Sequence, residues 1–164
     1  MGMSRKDIVQ IYWASALDQE GWYPPLVKAL QGLSEEQADW RPDVGPANSI
    51  RETVDHLIFY KEQLLKRLQG QDPPDPPSND ATFAGDDVQD RDWERTVARL
   101  VEVHRAIAAH AANGGEEGLD RPLPEVPLGG QMLTLAMHDA YHTGQIIQLR
   151  KLQGSWPART HYGG

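Results

Sequence analysis

The chain has 164 residues, with 24 acidic against 16 basic side chains and a net charge of −8. That balance argues against a nucleic-acid partner, which needs concentrated Lys and Arg; the absence of cysteine excludes disulfides and thiolate metal sites, so any metal must be held by His, Asp or Glu. No apolar run is long enough to cross a membrane and Met1 to Lys6 carries no apolar leader segment, so the expectation is a single domain over residues 1–164, soluble and cytoplasmic.

Four long segments have helical periodicity. The first runs from about Ser4 to Leu30, with Ile8, Ile11, Tyr12, Tyr23, Leu26 and Leu30 expected inside, and Gly21 and Pro24-Pro25 expected to kink or restart it. The second opens at Ser49, where "SIRE" has the form of a capping box, and continues through Ile50, Val54, Leu57, Ile58, Leu64, Leu65 and Leu68 to Gly70. The third spans roughly Asp90 to Ala112, with Val97, Leu100, Val101, His104, Ile107, Ala108 and Ala111 on one face and Asn113-Gly114 as a stop. The fourth runs from about Gln131 to Leu152 and ends before Gly154. Three Pro- and Gly-rich connections, beginning near Gly32, Gly70 and Asn113, are expected to lack regular structure. Loops of such length form lids or walls of a site, or cross over between parallel neighbours. No segment alternates long enough to demand a sheet, so an all-α, four-helix bundle with long crossover loops follows.

The fourth helix carries the chemistry. In "MHDAYHTGQIIQLRK", Leu135, His138, His142, Gln145 and Leu149 follow 3/4 spacing and form one line, so polar residues interrupt an apolar stripe. Residues four apart on a helix stand one above the other, about 6 Å along the axis, so both imidazoles can reach one point. Two buried imidazoles double the desolvation cost of one, which favours a metal or ligand between them over packing alone. A catalytic metal usually takes three protein ligands, so a third must come from elsewhere. Periodicity alone favours His104, on the apolar stripe of the third helix, over His56 on the flank of the second; the pattern leaves both open. His110 lies off its stripe near a helix end, and His161 sits in the C-terminal tail. A zinc-protease reading of "HDAYH", with His161 downstream, fits the His spacing but puts Asp139 where a glutamate base is needed.

The segments "GLSEEQADWRP", "SIRETVDHLIFYKEQLLKRL" and "MHDAYHTGQIIQLRK", in this order, resemble the DinB/YfiT-like family of small four-helix-bundle proteins over nearly the whole chain. The resemblance implies a metal site made of His56, His138 and His142, overriding the preference for His104, and one divalent transition metal, with zinc or nickel expected. One departure is Asn48, where relatives often carry Trp before the second helix; it is expected to alter a wall of the pocket and leaves all three ligand positions filled. Several relatives use low-molecular-weight thiols, transferring them to electrophiles or isomerising thiol-linked substrates, and others are described as metal-dependent hydrolases.

The implied activity is therefore a thiol S-transferase or hydrolase in which metal-activated water or thiol is the nucleophile and a small molecule the substrate; a non-catalytic, metal-stabilised binding module is the alternative. Glu52, one turn before His56, is the expected acceptor for an imidazole N–H, with Asp139 and Gln145 as further candidates. Tyr60 and Tyr141 are placed to donate to a substrate, and Gly144 to allow close helix approach or room beside the site. The surplus of aromatic residues and the pairing habit of similar bundles point to a homodimer.

Overall fold

A computed structural model describes residues 2–85 and 92–157 of the chain. The described residues form seven α-helices and one short 3₁₀ helix, with no strand among them. They are α1 (Arg5–Leu17), α2 (Leu26–Leu30), α3 (Glu35–Asp39), α4 (Ile50–Leu68), the 3₁₀ helix (Asp80–Phe83), α5 (Trp93–Asn113), α6 (Gly115–Gly118) and α7 (Leu128–Leu152). The four longest close a ring in which α4 packs on α5 and α7, and α1 packs on the same two.

Local chemistry explains most of the boundaries. Ser4, Ser34 and Ser49 each open a helix through a reciprocal capping box, with Asp7, Gln37 and Glu52 closing them. The box at Ser34 makes a short helix, α3, within a connection expected to be irregular. The first predicted helix does restart at the prolines: α1 ends at Leu17, and Pro25 sits just before α2. The start of α5 is Trp93, capped by Asp92; the expected start at Asp90 lies outside the described residues. Helix α7 begins a turn earlier than expected. Gly129 approaches Leu119 so closely that a Cβ there would lie 3.2 Å from the Leu119 Cβ, and its N–H donates to the Leu119 carbonyl at 2.9 Å.

The buried face of α1 differs from the expected one. Val9, Trp13, Ala16 and Leu17 are buried, whereas Ile8, Ile11 and Tyr12 are exposed, Ile11 at 46% and Tyr12 at 58%, as is Tyr23 in the link to α2. Both faces of this helix are apolar, so periodicity cannot choose between them. The Trp13 indole decides: its Nε1–H donates to the His104 carbonyl at 3.1 Å, and its ring stacks on the His104 imidazole with centroids 3.9 Å apart.

The interior consists of two apolar clusters. One gathers Val9, Trp13, Leu64, Leu68, Val103, Ile107, Met132 and Leu135. The other gathers Leu26, Ile50, Val54, Leu57, Leu100, Ile146 and Leu149. Near the transition between clusters stand the buried polar residues His56 and Lys61 on α4, His104 on α5, and Asp139, His142 and Thr143 on α7. The polar residues on three helices thus form one layer across the bundle, and that layer positions the site.

Candidate metal centre

His56 comes from the middle of α4, and His138 and His142 stand one turn apart on α7. One ring nitrogen from each lies within 4.8 Å of the other two. The His138 Nε2 is central, 3.0 Å from Nε2 of His56 and 3.1 Å from Nε2 of His142. Burial is nearly complete for His56 and His142 and partial for His138.

Hydrogen-bond accounting fixes what these nitrogens can do. Thr82 Oγ1 lies 2.6 Å from the Asn79 carbonyl, to which its only proton must be donated. The same oxygen, 2.5 Å from His56 Nδ1, must then accept, which puts the His56 proton on Nδ1 and a lone pair on Nε2. The His142 Nδ1 lies 2.7 Å from Gln145 Oε1; with Nδ1–H donating to that oxygen, the His142 Nε2 also presents a lone pair. The His138 nitrogen sits between them and has at most one proton to offer. At least one pair of lone pairs therefore faces without a proton between them, an arrangement that a cation resolves.

Electrostatics keep that cation from being a proton. Burial, followed by the neighbouring imidazoles and the Lys61 ammonium, lowers His56 to about 3. Burial, with His142 and Lys61, lowers His138 to about 4. His142 is lowered as well, chiefly by burial, with its bond to Gln145 opposing. The rings are neutral near pH 7, the form that binds metals. A tetrahedral ion with bonds of about 2.0–2.1 Å sets its ligand nitrogens about 3.3 Å apart, close to the two contacts made by His138. The donor set fits a divalent ion.

The triad opens on a cleft of about 600 Å³. Its walls include Asn48 from the α3–α4 connection, Phe83 from the 3₁₀ helix, and Tyr141, Gln145 and Gln148 from α7. Among the described residues no Asp, Glu, Lys or Arg lines it; those that do include carboxamides, a phenol and apolar surface. Phe83 stacks on His56 with centroids 4.0 Å apart, covering one face of the imidazole.

The DinB superfamily sequence profile matches residues 24–146, three quarters of the chain. The chain belongs to the DinB superfamily. No curated protein and no solved structure matches it. The matched range includes His56, His138 and His142.

In this DinB-superfamily chain the other predicted residues divide sharply. Gln145 Oε1 lies 2.7 Å from His142 Nδ1, but both carboxylates take other partners. Glu52 Oε2 accepts the Ser49 N–H at 2.7 Å and Oε1 is bonded to Arg41, so it serves the cap of α4. Asp139 points away from the triad into a fully buried ion pair with Lys61. That direction also removes it as the base of a zinc-protease motif, and His161 lies outside the described residues. His104 is buried, but its Nε2–H donates to the Trp13 carbonyl at 2.9 Å, and its Nδ1 lies 3.6 Å from Asp139 Oδ2. His110 is exposed. A Cβ on Gly144 would meet nothing within 4 Å, so no helix approaches there. Sequence reasoning missed Thr82 and Phe83, which come from a connection read as irregular; the only signal was their place in a long loop, a usual source of site walls.

Proposed function

We propose that this protein is a metal-dependent transferase or hydrolase acting on a small electrophilic substrate, with water or a low-molecular-weight thiol as nucleophile. The convergence of three neutral imidazole nitrogens at the wall of an open cleft supports this reading. His56, His138 and His142 would hold one divalent transition-metal ion, such as zinc or nickel, both of which imidazole suits. When bound, such an ion lowers the pKa of water or thiol enough to supply a nucleophile near neutral pH.

The chain's own residues do the rest. Thr82 and Gln145 hold the His56 and His142 rings in the tautomer that turns Nε2 inward. Asn48, Gln148 and the Tyr141 hydroxyl, all on the cleft wall, orient the electrophile by neutral hydrogen bonds. Three imidazoles match the usual three protein ligands of a catalytic metal, whose fourth position takes an exchangeable ligand, and this supports turnover over a closed, purely binding site.

The exposed Ile11 and Tyr12 on α1, and Met137 and Tyr141 on α7, supply apolar surface for a homodimer. A dimeric mass by light scattering is the expected result, and a monomeric mass at working concentration refutes it. For the activity, the assay is metal content of the purified protein followed by turnover of an electrophile panel with several small thiols and with water. The holo protein should show a metal-dependent rate that His142→Ala loses. No such rate with any nucleophile, together with a fourth, non-exchanging protein ligand by spectroscopy, would replace this reading with the binding module.

A further inference from the structure

His138 has a second side. Behind it, toward the C-terminal end of α4, lies another cleft of about 280 Å³, which shares only His138 and Asn79 with the first. The Tyr60 hydroxyl donates to Asn79 Oδ1 at 3.1 Å at this boundary, so the phenol helps to separate the two spaces.

The second cleft has a different character. Arg67 from α4, Asp75 from the following connection and Glu125 from the segment before α7 all line it, whereas no Asp, Glu, Lys or Arg among the described residues lines the first cleft. It also contains two buried polar atoms without a hydrogen-bond partner among the described residues, Gln63 Oε1 and Arg67 Nε. Gln63 is 9% exposed, and its Nε2 donates to the Pro74 carbonyl at 3.4 Å, which leaves the carboxamide oxygen as a free acceptor. Arg67 keeps a 3.8 Å contact from Nη2 to Asp75, but its Nε–H has no acceptor. Buried polar atoms are paired in most native structures, and leaving one unpaired is costly. Here a donor and an acceptor stand unpaired on two residues, one turn apart on α4, that both line this cavity.

We infer that this cleft is a binding site for a small zwitterion carrying a carboxylate and an ammonium group. The carboxylate accepts from Arg67 Nε–H. The ammonium donates to Gln63 Oε1, with the Asp75 and Glu125 carboxylates favouring its charge. Through His138 the bound molecule borders the imidazole triad without entering the first cleft, so the centre is flanked by two separate, chemically distinct sites. This assignment needs no metal and stands apart from the proposed reaction.

The test is a titration of full-length protein with glycine, β-alanine and γ-aminobutyrate, with butyrate and butylamine as single-charge controls. Calorimetry gives affinities, and NMR follows the Arg67 Nε–H and Gln63 side-chain amide resonances. At least one zwitterion should bind more tightly than both controls, shift both resonances, and bind equally to metal-free protein and to His142→Ala. A hydrogen bond to a charged group contributes about 1.5–3 kcal/mol, so Arg67→Met and Gln63→Leu should each weaken binding about tenfold or more. The resonance shifts in unaltered protein carry the test if either variant fails to fold. If no zwitterion shifts the two resonances, or if the controls shift them as strongly, the unpaired atoms hold only water and the assignment is overturned. Loss of zwitterion binding with metal binding intact, or the reverse, separates failure here from failure of the metal reading.

Discussion

Replacing His138 with Ala removes the one nitrogen that contacts both of the others, at 3.0 and 3.1 Å, and leaves two imidazoles with no third ligand between them. Apparent zinc affinities of structural four-ligand sites correspond to about 10–16 kcal/mol, or very roughly 2.5–4 kcal/mol per ligand. One ligand lost from three should therefore weaken binding by about two to three orders of magnitude, enough to abolish stoichiometric uptake at micromolar protein. The comparison variant is His104→Gln. His104 belongs to the same buried layer but is turned toward Trp13, so its replacement should lower thermal stability and leave one equivalent of metal bound. Calorimetric titration with zinc and nickel on both variants, with circular dichroism to confirm folding, makes the measurement. Full stoichiometry in His138→Ala, or its loss in folded His104→Gln, would refute the assignment of the triad.

Thr82→Val removes the acceptor that holds the His56 tautomer and should lower metal affinity about 10- to 100-fold with little loss of helix content, read by competition with a chelator. Lys61→Met leaves the fully buried Asp139 carboxylate without its cation and should cost about 3–5 kcal/mol in urea unfolding. The His104 imidazole is lowered to about 3, first by burial and then by Lys61, so between pH 6.5 and about 3 the unfolded chain binds a proton there that the folded chain does not. Its contribution is therefore fully present above pH 6.5 and falls as pH falls through that window; in His104→Gln the slope of stability against pH should be shallower by up to about 1.4 kcal/mol per pH unit. An unchanged slope would show that the ring is already protonated in the folded state.

The sequence alone determined the helical class, because α4, α5 and α7 each carry long 3/4 patterns with readable stops, and the Ser49 box could be seen in four letters. It also determined that His138 and His142 converge, since one turn of helix guarantees it. The third nitrogen was beyond that local rule. His104 has the better position on its own helix, yet Trp13 captures its ring while the fold turns His56 toward α7; only the resemblance to a family pointed to His56 in advance. The face of α1 was undecided for the same reason, both sides being apolar until Trp13 met α5. The carboxylates repeat the lesson. Glu52 and Asp139 have the right spacing to orient an imidazole, but capping claimed one and a buried Lys claimed the other, while Thr82 and Gln145 took up the two ring N–H groups. Periodicity reports which side of one helix is apolar; which polar groups share a buried layer is decided where helices distant in sequence meet, and each group goes to the partner that best offsets its own desolvation.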